Sequence, residues 1–292
     1  MEKFIPQELK KLYKRSLQSQ LRRLYKPARE SAGEDNGQVT IIGGSTLFHG
    51  APLLSLKVAS RIVDMVFFAS PEPSVGRIAE QMKASLSSFI WVPWEETEEY
   101  IEKSDAVLIG PGFMRFRSEK VPHGERLHVC DEACKETRDI TEELLKKFPH
   151  KRWVIDAGSL QAMDAELIPR GAIVTPNKKE YKLLFGKMDA GEAAKKYACT
   201  IIQKGPKTIV AGEGKMVEIS NGNAGLTKGG TGDILAGLTV ALFAKNDAFL
   251  SASSASFLVK AAADELYQKV GTNYNADDLA QEIPSTFKKL AF

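Results

Sequence analysis

Short apolar segments alternate with helix-forming segments along most of this 292-residue chain, and that alternation restricts the folds it can adopt. The apolar segments predict buried strands at 39–42, 65–69, 106–109, 153–155, 172–174, 200–203 and 208–211. Helical patterns between them span 53–62, 75–84, 132–147, 178–184 and 190–197. We therefore expect an α/β fold whose mainly parallel sheet is covered by helices on both faces.

The first 36 residues differ from the rest of the chain. Leucines recur at helical spacing among lysines and arginines between residues 7 and 28, which predicts one or two amphipathic helices. This segment could be a basic arm for nucleic acid or a membrane surface, but we favour packing because its apolar residues need a surface to cover. The predicted division is a helical extension at 1–36 and one domain at 37–292.

Charge, cysteine content and hydropathy restrict the cellular location and the kinds of partner that we expect. The net charge of +3 gives no general argument for a nucleic-acid partner. The sequence shows neither a cleavable signal nor an apolar run of membrane-spanning length. Cys130, Cys134 and Cys199 do not form the pattern of a disulfide framework, so we interpret them as packing residues or surface thiols. A cytoplasmic protein without nucleic-acid or membrane partners is expected.

A glycine-rich loop between residues 229 and 233 predicts an anion site. Gly229, Gly230 and Gly232 permit a sharp turn that points backbone N–H groups at one place, and the apolar helix that follows adds its unpaired amides. Phosphate suits such a site, and an ionised Asp233 could accept the proton of a hydroxyl held against that phosphate. The alternative is that Thr231 and Asp233 only cap the helix.

Further motifs follow the predicted strands. Because ligands of parallel sheets bind at the carboxyl ends of the strands, these residues are expected along one edge. They are Gly43, Gly44, Gly110, Gly112, Asp156, Thr175 and Lys204. Residues 178–187 carry four lysines around Glu180 and are interpreted as a solvated helix face, unless Glu180 lies in the cleft.

In this order, the motifs resemble those of the ADP/ATP-dependent NAD(P)H-hydrate dehydratases, a branch of the ribokinase-like superfamily. The block from Asn221 to Asp233 is the most specific part of the resemblance. The resemblance implies a ribokinase-like three-layer α/β/α sandwich with a mainly parallel central sheet. It also implies repair of hydrated NADH or NADPH (NADHX or NADPHX), with ADP or ATP as phosphoryl donor and Mg²⁺ as cofactor.

The resemblance also implies roles for individual residues. Asp233 activates the substrate hydroxyl and belongs to the substrate site, while the amides from Gly229 to Asp233 hold the phosphoryl group. The implied nucleotide-binding residues are Lys204, Gly205, Pro206, Lys207, Thr208, Asn221, Asn223, Gly229, Gly230, Thr231 and Gly232. The implied substrate-binding residues are His49, Gly50, Ala51, Gly112 and Asn177. The Asn221 to Asn223 run has an ordinary turn as its alternative.

The metal ligands are not defined by sequence. Asp156 and Glu180 are candidates for contacting Mg²⁺ or for structural hydrogen bonds, and most ligands are expected to be water and phosphate. A homo-oligomer is usual among similar proteins and is expected here. No second, epimerase-like domain fits in the sequence, so the chain is expected to act on one epimer.

Three motifs depart from the family pattern, one of them at Asp156 and Ala157, which are followed by Gly158 rather than by an acidic residue and leucine. Asn177 stands where the family usually has histidine, and residues 113–117 are bulky where it usually has glycines. The bulk is expected to narrow the substrate pocket, and Arg115 or Arg117 to clamp a phosphate. Two other functions use the same loop: a ribokinase-like kinase for a vitamin precursor, and a nucleotide-binding protein without catalysis. The retained Asp233 favours catalysis.

Overall fold

A computed structural model describes residues 17–115 and 132–291. The strands in these ranges are β1 (Gln38–Ile42), β2 (Met65–Ala69), β3 (Ile90–Trp91), β4 (Ala106–Ile109), β5 (Arg152–Ile155), β6 (Ile173–Val174), β7 (Thr200–Gln203), β8 (Thr208–Gly212) and β9 (Lys215–Ile219). The helices are α1 (Gly50–Ala59), α2 (Pro73–Met82), α3 (Thr97–Lys103), α4 (Glu132–Lys147), α5 (Ala157–Ala162), α6 (Lys178–Phe185), α7 (Ala190–Lys196), α8 (Thr231–Phe243), α9 (Ala248–Val270) and α10 (Ala276–Ala291).

The described strands form one sheet in the order β3-β2-β1-β4-β5-β6-β7-β8-β9. Neighbours from β3 to β7 run parallel, whereas β8 and β9 are antiparallel additions at one edge. Register is set along the central pair, where Val39 to Ile42 lie opposite Ala106 to Ile109. The prediction of a mainly parallel α/β sheet is confirmed.

Successive strand residues enter two different cores, one on each face of the sheet. In β4, Leu108 packs into the core formed with α1, α2, α8, α9 and α10. Val107 and Ile109 point the other way, into the core formed with α3 to α7. This alternation follows from the two-residue period of a strand, and because both faces are apolar, each must be covered by helices. The three-layer α/β/α arrangement is therefore confirmed.

Several helices and strands have the bounds predicted from the sequence, whereas others were not predicted. The strands β2, β4 and β7 have the predicted bounds, and α4 matches 132–147. The helices α1 and α2 begin earlier than predicted because Pro52 and Pro73 lie in their first turns, where proline is tolerated. The sequence analysis did not predict β3, β9, α3 or α5, which are short or lie at an exposed edge, and it also did not predict the long helices α9 and α10.

Residues 17–25 pack on the domain. Leu17, Leu21 and Leu24 are buried in the core that contains α8 and α9. The amide of Tyr25 donates to Asn246 Oδ1 at 2.7 Å, and Ser253 Oγ donates to Gln20 Oε1 at 3.2 Å. Packing is thus the observed role of this part of the extension. Its helical segment ends at residue 21, several residues earlier than the predicted end before Pro27. Residues 1–16 lie outside the described residues.

The cysteines differ from the sequence interpretation in one respect. Cys199 is buried with a free thiol, and burial raises its pKa to about 12. Cys134 is buried in α4 as expected for packing, but it is disulfide-bonded, which corrects the expectation of a thiol there. Within 17–115 and 132–291, none of the helices has both the length and the apolar character needed to cross a bilayer.

The contacts of Leu21 make a testable prediction about the extension. Leu21→Ala should lower the free energy of unfolding by about 2–5 kcal/mol, because the lost methyl groups leave a cavity in a core with no exposure at that side chain. Urea denaturation monitored by circular dichroism measures the change. Leu183→Ala, at a site 46% exposed, is the matched control and should cost less than about 1 kcal/mol. Equal small losses for both variants would show that the extension is not part of the cooperative unit.

Candidate active site

The carboxyl ends of five adjacent parallel strands bring the predicted motifs to one edge of the sheet. Gly43, Gly110, Asp156, Thr175 and Lys204 come directly after β1, β4, β5, β6 and β7, which are neighbours in the sheet. The turns at this edge pack closely: a Cβ on Gly110 would lie 2.0 Å from the Asp156 carbonyl oxygen. The edge is therefore a single continuous surface.

The glycine-rich loop ends at the start of α8 on this surface. Gly230 precedes the helix with φ of +89°, a left-handed conformation that favours glycine. Thr231 Oγ1 donates to the carbonyls of Leu226 at 2.7 Å and Lys228 at 2.9 Å, so this hydroxyl closes the loop. Gly232 and Asp233 lie in the first turn, where helical amides have no carbonyl partner within the helix. The local geometry is that of an anion site.

A buried ion pair lies beside the loop. Asp156 is 1% exposed, and its Oδ1 accepts from Thr175 Oγ1 at 2.5 Å and from Lys204 Nζ at 2.7 Å. The same Nζ lies 3.6 Å from the position of a Cβ on Gly232. Burial lowers the pKa of Lys204, but the neighbouring Asp156 and Glu180 outweigh it and hold that pKa above its usual range. Lys204 thus supplies a fixed positive charge next to the anion site.

Asp233 has an unusual acidity for a carboxyl group. Burial, followed by the charge of Asp156, raises the pKa of Asp233 to about 7, while Lys204 acts in the opposite direction. The backbone carbonyl of Asp233 accepts from Ser55 Oγ of α1 at 2.8 Å, which fixes the first turn of α8. A carboxyl group with a pKa near neutrality is suited to accept and release a proton at physiological pH.

Glu180 is buried, which excludes the solvated interpretation for this residue of the 178–187 segment. Its Oε1 accepts from Gln161 Nε2 at 2.7 Å, and its Oε2 accepts from the Asn177 amide at 2.7 Å. Burial raises the pKa of Glu180 despite the opposing charge of Lys204, and Asp156 raises it further. Both carboxylates that were considered for Mg²⁺ are therefore engaged by protein donors. The described residues contain no group of three His, Cys, Asp or Glu side chains placed to hold a metal ion.

Asn177 caps α6. Its Oδ1 accepts from the amides of Lys179 at 2.8 Å and Glu180 at 3.1 Å, and the Glu180 carboxylate completes a capping box. Its carboxamide nitrogen makes no hydrogen bond within the described residues. A substrate contact by Asn177, which stays a prediction, would therefore use that N–H group.

The turn that follows Lys204 is contacted by side chains of α9 and β9. Thr208 Oγ1 donates to the Gly205 carbonyl at 3.2 Å, and Lys207 Nζ lies 3.6 Å from Glu218 Oε1 on β9. Lys260 Nζ, from α9, donates to the carbonyls of Pro206 at 2.6 Å and Gly205 at 3.2 Å. The Thr208 hydroxyl is thus used within the turn, while Lys207 is on its exposed side.

The Asn221 to Asn223 loop is fixed to α9 and to Tyr274, which lies between α9 and α10. Asn223 Nδ2 donates to the Ala263 carbonyl at 2.8 Å, and its Oδ1 accepts from Tyr274 Oη at 2.8 Å and the Gly225 amide at 2.9 Å. Asn223 therefore shapes the loop. The Nδ2 of Asn221 is buried and has no hydrogen-bond partner within the described residues.

The predicted substrate residues form a second group at the same edge. His49 precedes α1, and its Nε2 lies 3.3 Å from Ser74 Oγ, while Gly50 and Ala51 form the first turn of α1. Gly112, with φ of +76°, approaches this segment so closely that a Cβ would lie 2.4 Å from the Phe48 carbonyl oxygen. His49, Gly50, Ala51 and Gly112 are thus brought together.

Phe113, the first residue of the bulky segment after Gly112, points away from the sheet edge. Phe113 is buried in the core on the α3 to α7 side, so it does not narrow a pocket at the sheet edge as expected. Arg115 Cζ lies 5.8 Å from the centre of the Phe48 ring, a cation–π contact near the first turn of α1. Arg117 lies outside the described residues, so its expected role as a phosphate clamp stays a prediction.

The sequence did not indicate a role for Lys260, and it did not predict that Asp156 and Glu180 are buried beside Lys204. Lys260 interrupts an apolar stretch of α9 that begins at Phe257, and a lone lysine in such a stretch is a signal that could have been followed. The convergence of Asp156, Glu180 and Lys204 depends on two separate strand ends and the first turn of α6, so no local pattern shows it.

The raised pKa of Asp233 predicts a pH-dependent contribution to stability. Because the folded-state pKa is about 7 and the usual value is 3.8, ionising Asp233 disfavours the folded state, and the loss grows as pH rises from about 4 through 7. The free energy of unfolding of Asp233→Asn, relative to that of the unsubstituted protein, should therefore rise by on the order of 1–3 kcal/mol when the pH is raised from 5 to 8.5. Urea unfolding at both pH values measures this. A pH-independent difference would show that Asp233 titrates normally.

Comparisons with known proteins agree with this geometry. The family model described as NAD(P)H-hydrate dehydratase matches residues 39–285. A bifunctional NAD(P)H-hydrate repair enzyme of Methanocaldococcus jannaschii is 35% identical over 280 residues, which cover 92% of this chain and 51% of that protein. The chain thus spans about half the length of this curated relative.

Two other relatives match along nearly their whole length. An ADP-dependent (S)-NAD(P)H-hydrate dehydratase of Nitrosopumilus maritimus is 27% identical, covering 94% of this chain and 97% of that protein. The crystal structure of an ADP/ATP-dependent NAD(P)H-hydrate dehydratase from Bacillus subtilis, co-crystallised with ATP and Mg²⁺, has the same fold, with a TM-score of 0.74 and 21% identity over 94% of this chain and 97% of that one. The match of the family model over most of the sequence shows that the chain belongs to the NAD(P)H-hydrate dehydratase family.

Proposed function

We propose that this chain dehydrates (S)-NADHX or (S)-NADPHX to NADH or NADPH at the cost of a phosphoryl group from ADP. The observation that supports this most strongly is the position of Asp233, which lies in the first turn of α8 beside the Lys204 ammonium and has a pKa of about 7. The choice of ADP and of the S epimer follows the printed names of full-length relatives.

In the proposed reaction, the hydroxyl on C6 of the hydrated nicotinamide attacks the terminal phosphorus of the nucleotide. Its proton passes to Asp233, an O–P bond forms, and the bond to the departing nucleotide phosphate breaks, so that ADP yields AMP. The C6–O bond of the phosphorylated intermediate then breaks as the electron pair of the ring nitrogen forms an iminium, and inorganic phosphate leaves. Loss of a proton from C5 to the departing phosphate or to water then forms the C5=C6 double bond and restores the dihydropyridine. Asp233 thus serves as the general base of the first step.

The remaining groups bind and orient. The amides of Gly232 and Asp233 face an anion at the start of α8, and Lys204 adds positive charge without entering the covalent steps. The turn from Lys204 to Thr208 and the loop at 221–223 are assigned to the nucleotide. His49, Gly50, Ala51, Gly112 and Asn177 are assigned to the hydrated nicotinamide nucleotide.

Magnesium is assigned to the nucleotide rather than to a protein cage. The carboxylates of Asp156 and Glu180 already accept hydrogen bonds from protein groups, so phosphate oxygens and water are the expected ligands. Bound in this way, the ion would neutralise phosphate charge. The homo-oligomeric state stays a prediction from the family resemblance, and the cytoplasmic location stays a prediction from the composition of the sequence.

Recovery of the reduced-nicotinamide absorbance band tests the function directly. Purified protein, Mg²⁺ and (S)-NADHX are mixed with ADP or ATP in separate cuvettes, and recovery with ADP is expected. Asp233→Asn should lower kcat by about 10²- to 10⁴-fold while leaving nucleotide affinity unchanged or improved, because it removes the base and a negative charge. The exposed Asp139→Asn is the matched control and should keep full activity. Accumulation of a stable phosphorylated product would instead indicate a kinase, and nucleotide binding without turnover a non-catalytic protein.

The pH profile tests the role of Asp233 independently. Since the base must be ionised, kcat/KM should fall about tenfold per pH unit below the pKa of Asp233, which is about 7, and level off above it. Nucleotide affinity, measured over the same pH range, separates this effect from titration of the phosphates. A flat profile between pH 5 and pH 8 would exclude Asp233 as the titrating base.

A further inference from the structure

Lys260 is a buried ammonium whose described hydrogen bonds end on backbone carbonyls rather than on a carboxylate. The residue is 6% exposed in the middle of α9, and no ion pair to it is formed among residues 17–115 and 132–291. The charged groups that face it are Asp264 of its own helix and Glu218 of β9. Burying an ammonium is costly without a close counter-charge, so packing alone does not explain a lysine at this position.

The contacts of Lys260 reach both segments assigned to the nucleotide. Its Nζ donates to the Pro206 carbonyl at 2.6 Å and the Gly205 carbonyl at 3.2 Å. Its aliphatic stem lies against the other segment, since a Cβ on Gly222 would be 3.0 Å from Lys260 Cγ. The next turn of α9 holds that loop directly, because the Gly222 amide donates to Asp264 Oδ2 at 3.1 Å. One face of α9 therefore carries the turn and the loop together.

We propose that Lys260 is a positioning residue for the nucleotide, which fixes the 204–207 turn relative to the 221–223 loop. This inference rests on the proposed function, which assigns those two segments to the nucleotide. Lys260 acts through them: its ammonium holds the carbonyls of the turn, and its stem limits the approach of the loop. Pre-organised segments bind a ligand more tightly because less ordering remains to be done on binding.

Because most of the 204–207 turn is exposed, loss of the Lys260 ammonium should affect nucleotide binding more than it affects folding. Gly205, Pro206 and Lys207 are exposed, so water can hydrogen-bond to their carbonyls when the ammonium is removed. A methionine at position 260 keeps most of the stem that contacts Gly222. Loss of the ammonium should therefore release the turn while leaving the helix packed. Burial lowers the pKa of Lys260 to about 8, against the opposing charges of Asp264 and Glu218, so its charge can be removed by pH as well as by substitution.

Calorimetric titration of ADP and ATP into full-length variants tests the inference. Lys260→Met should raise the nucleotide Kd and KM about tenfold, with kcat and the KM for (S)-NADHX nearly unchanged, because the ammonium touches neither the base nor the substrate group. Lys260→Arg should restore most of the affinity, since a guanidinium also donates to carbonyls. Lys187→Met, at an exposed position after α6, is the matched control and should bind nucleotide normally.

A second measurement keeps the test decisive if Lys260→Met does not fold. In the unsubstituted protein, the nucleotide Kd should rise severalfold between pH 7 and pH 9.5, because the neutral amine holds the turn less firmly, whereas Lys260→Arg should show no such rise. An unchanged Kd in folded Lys260→Met, or equal pH dependence in both proteins, would overturn the inference. Absence of nucleotide binding by the unsubstituted protein would overturn this inference and the proposed function together. Binding without recovery of NADH would contradict the function alone.

Discussion

The site depends on burying three carboxyl groups around one ammonium. Asp156, Glu180 and Asp233 all act electrostatically on Lys204, but only Asp156 forms a direct ion pair with it. One positive charge cannot fully compensate several buried carboxyl groups, and the pKa values of both Glu180 and Asp233 are raised. Asp156 has two strong donors and Glu180 is bonded by Gln161 and the Asn177 amide. The pKa of Asp233 is raised to about 7, so its proton is exchanged near neutral pH, and this makes it a usable base.

Glycines allow the backbone segments that carry these carboxyl groups to approach one another closely. The turns after β1, β4 and β5 approach each other so closely that a Cβ on Gly43 would lie 2.1 Å from the Pro111 carbonyl oxygen. At Gly237, in the second turn of α8, a Cβ would lie 2.4 Å from the Ser55 carbonyl oxygen, so α8 can approach α1. This approach allows Ser55 Oγ to bond the Asp233 carbonyl. Backbone contact thus fixes the base, while side chains tune its pKa.

The sequence was sufficient for the fold and for the local motifs, and insufficient for their convergence. Alternating apolar segments predicted β2, β4 and β7 because buried strands need continuous apolar runs, whereas the exposed edge strand β9 shows no such run. The loop before Asp233 was recognisable because its glycines are consecutive in sequence. The burial of Glu180 was not, since a lysine-rich surface helix and a capping box share the same local pattern. Lys260 was missed because its partners lie more than 50 residues away.

The arrangement also explains why the anion site needs positive charge beyond a helix terminus. A nucleotide phosphate brought to the start of α8 adds negative charge near Asp233, and this raises the pKa of a carboxyl group that already titrates at about 7. Uncompensated, the added charge would keep Asp233 protonated when it must act as a base. Lys204 opposes that effect from within the protein, and its own charge is secured by Asp156 and Glu180. The buried carboxyl groups therefore serve the base indirectly, because they keep Lys204 charged and Lys204 favours the ionised form of Asp233.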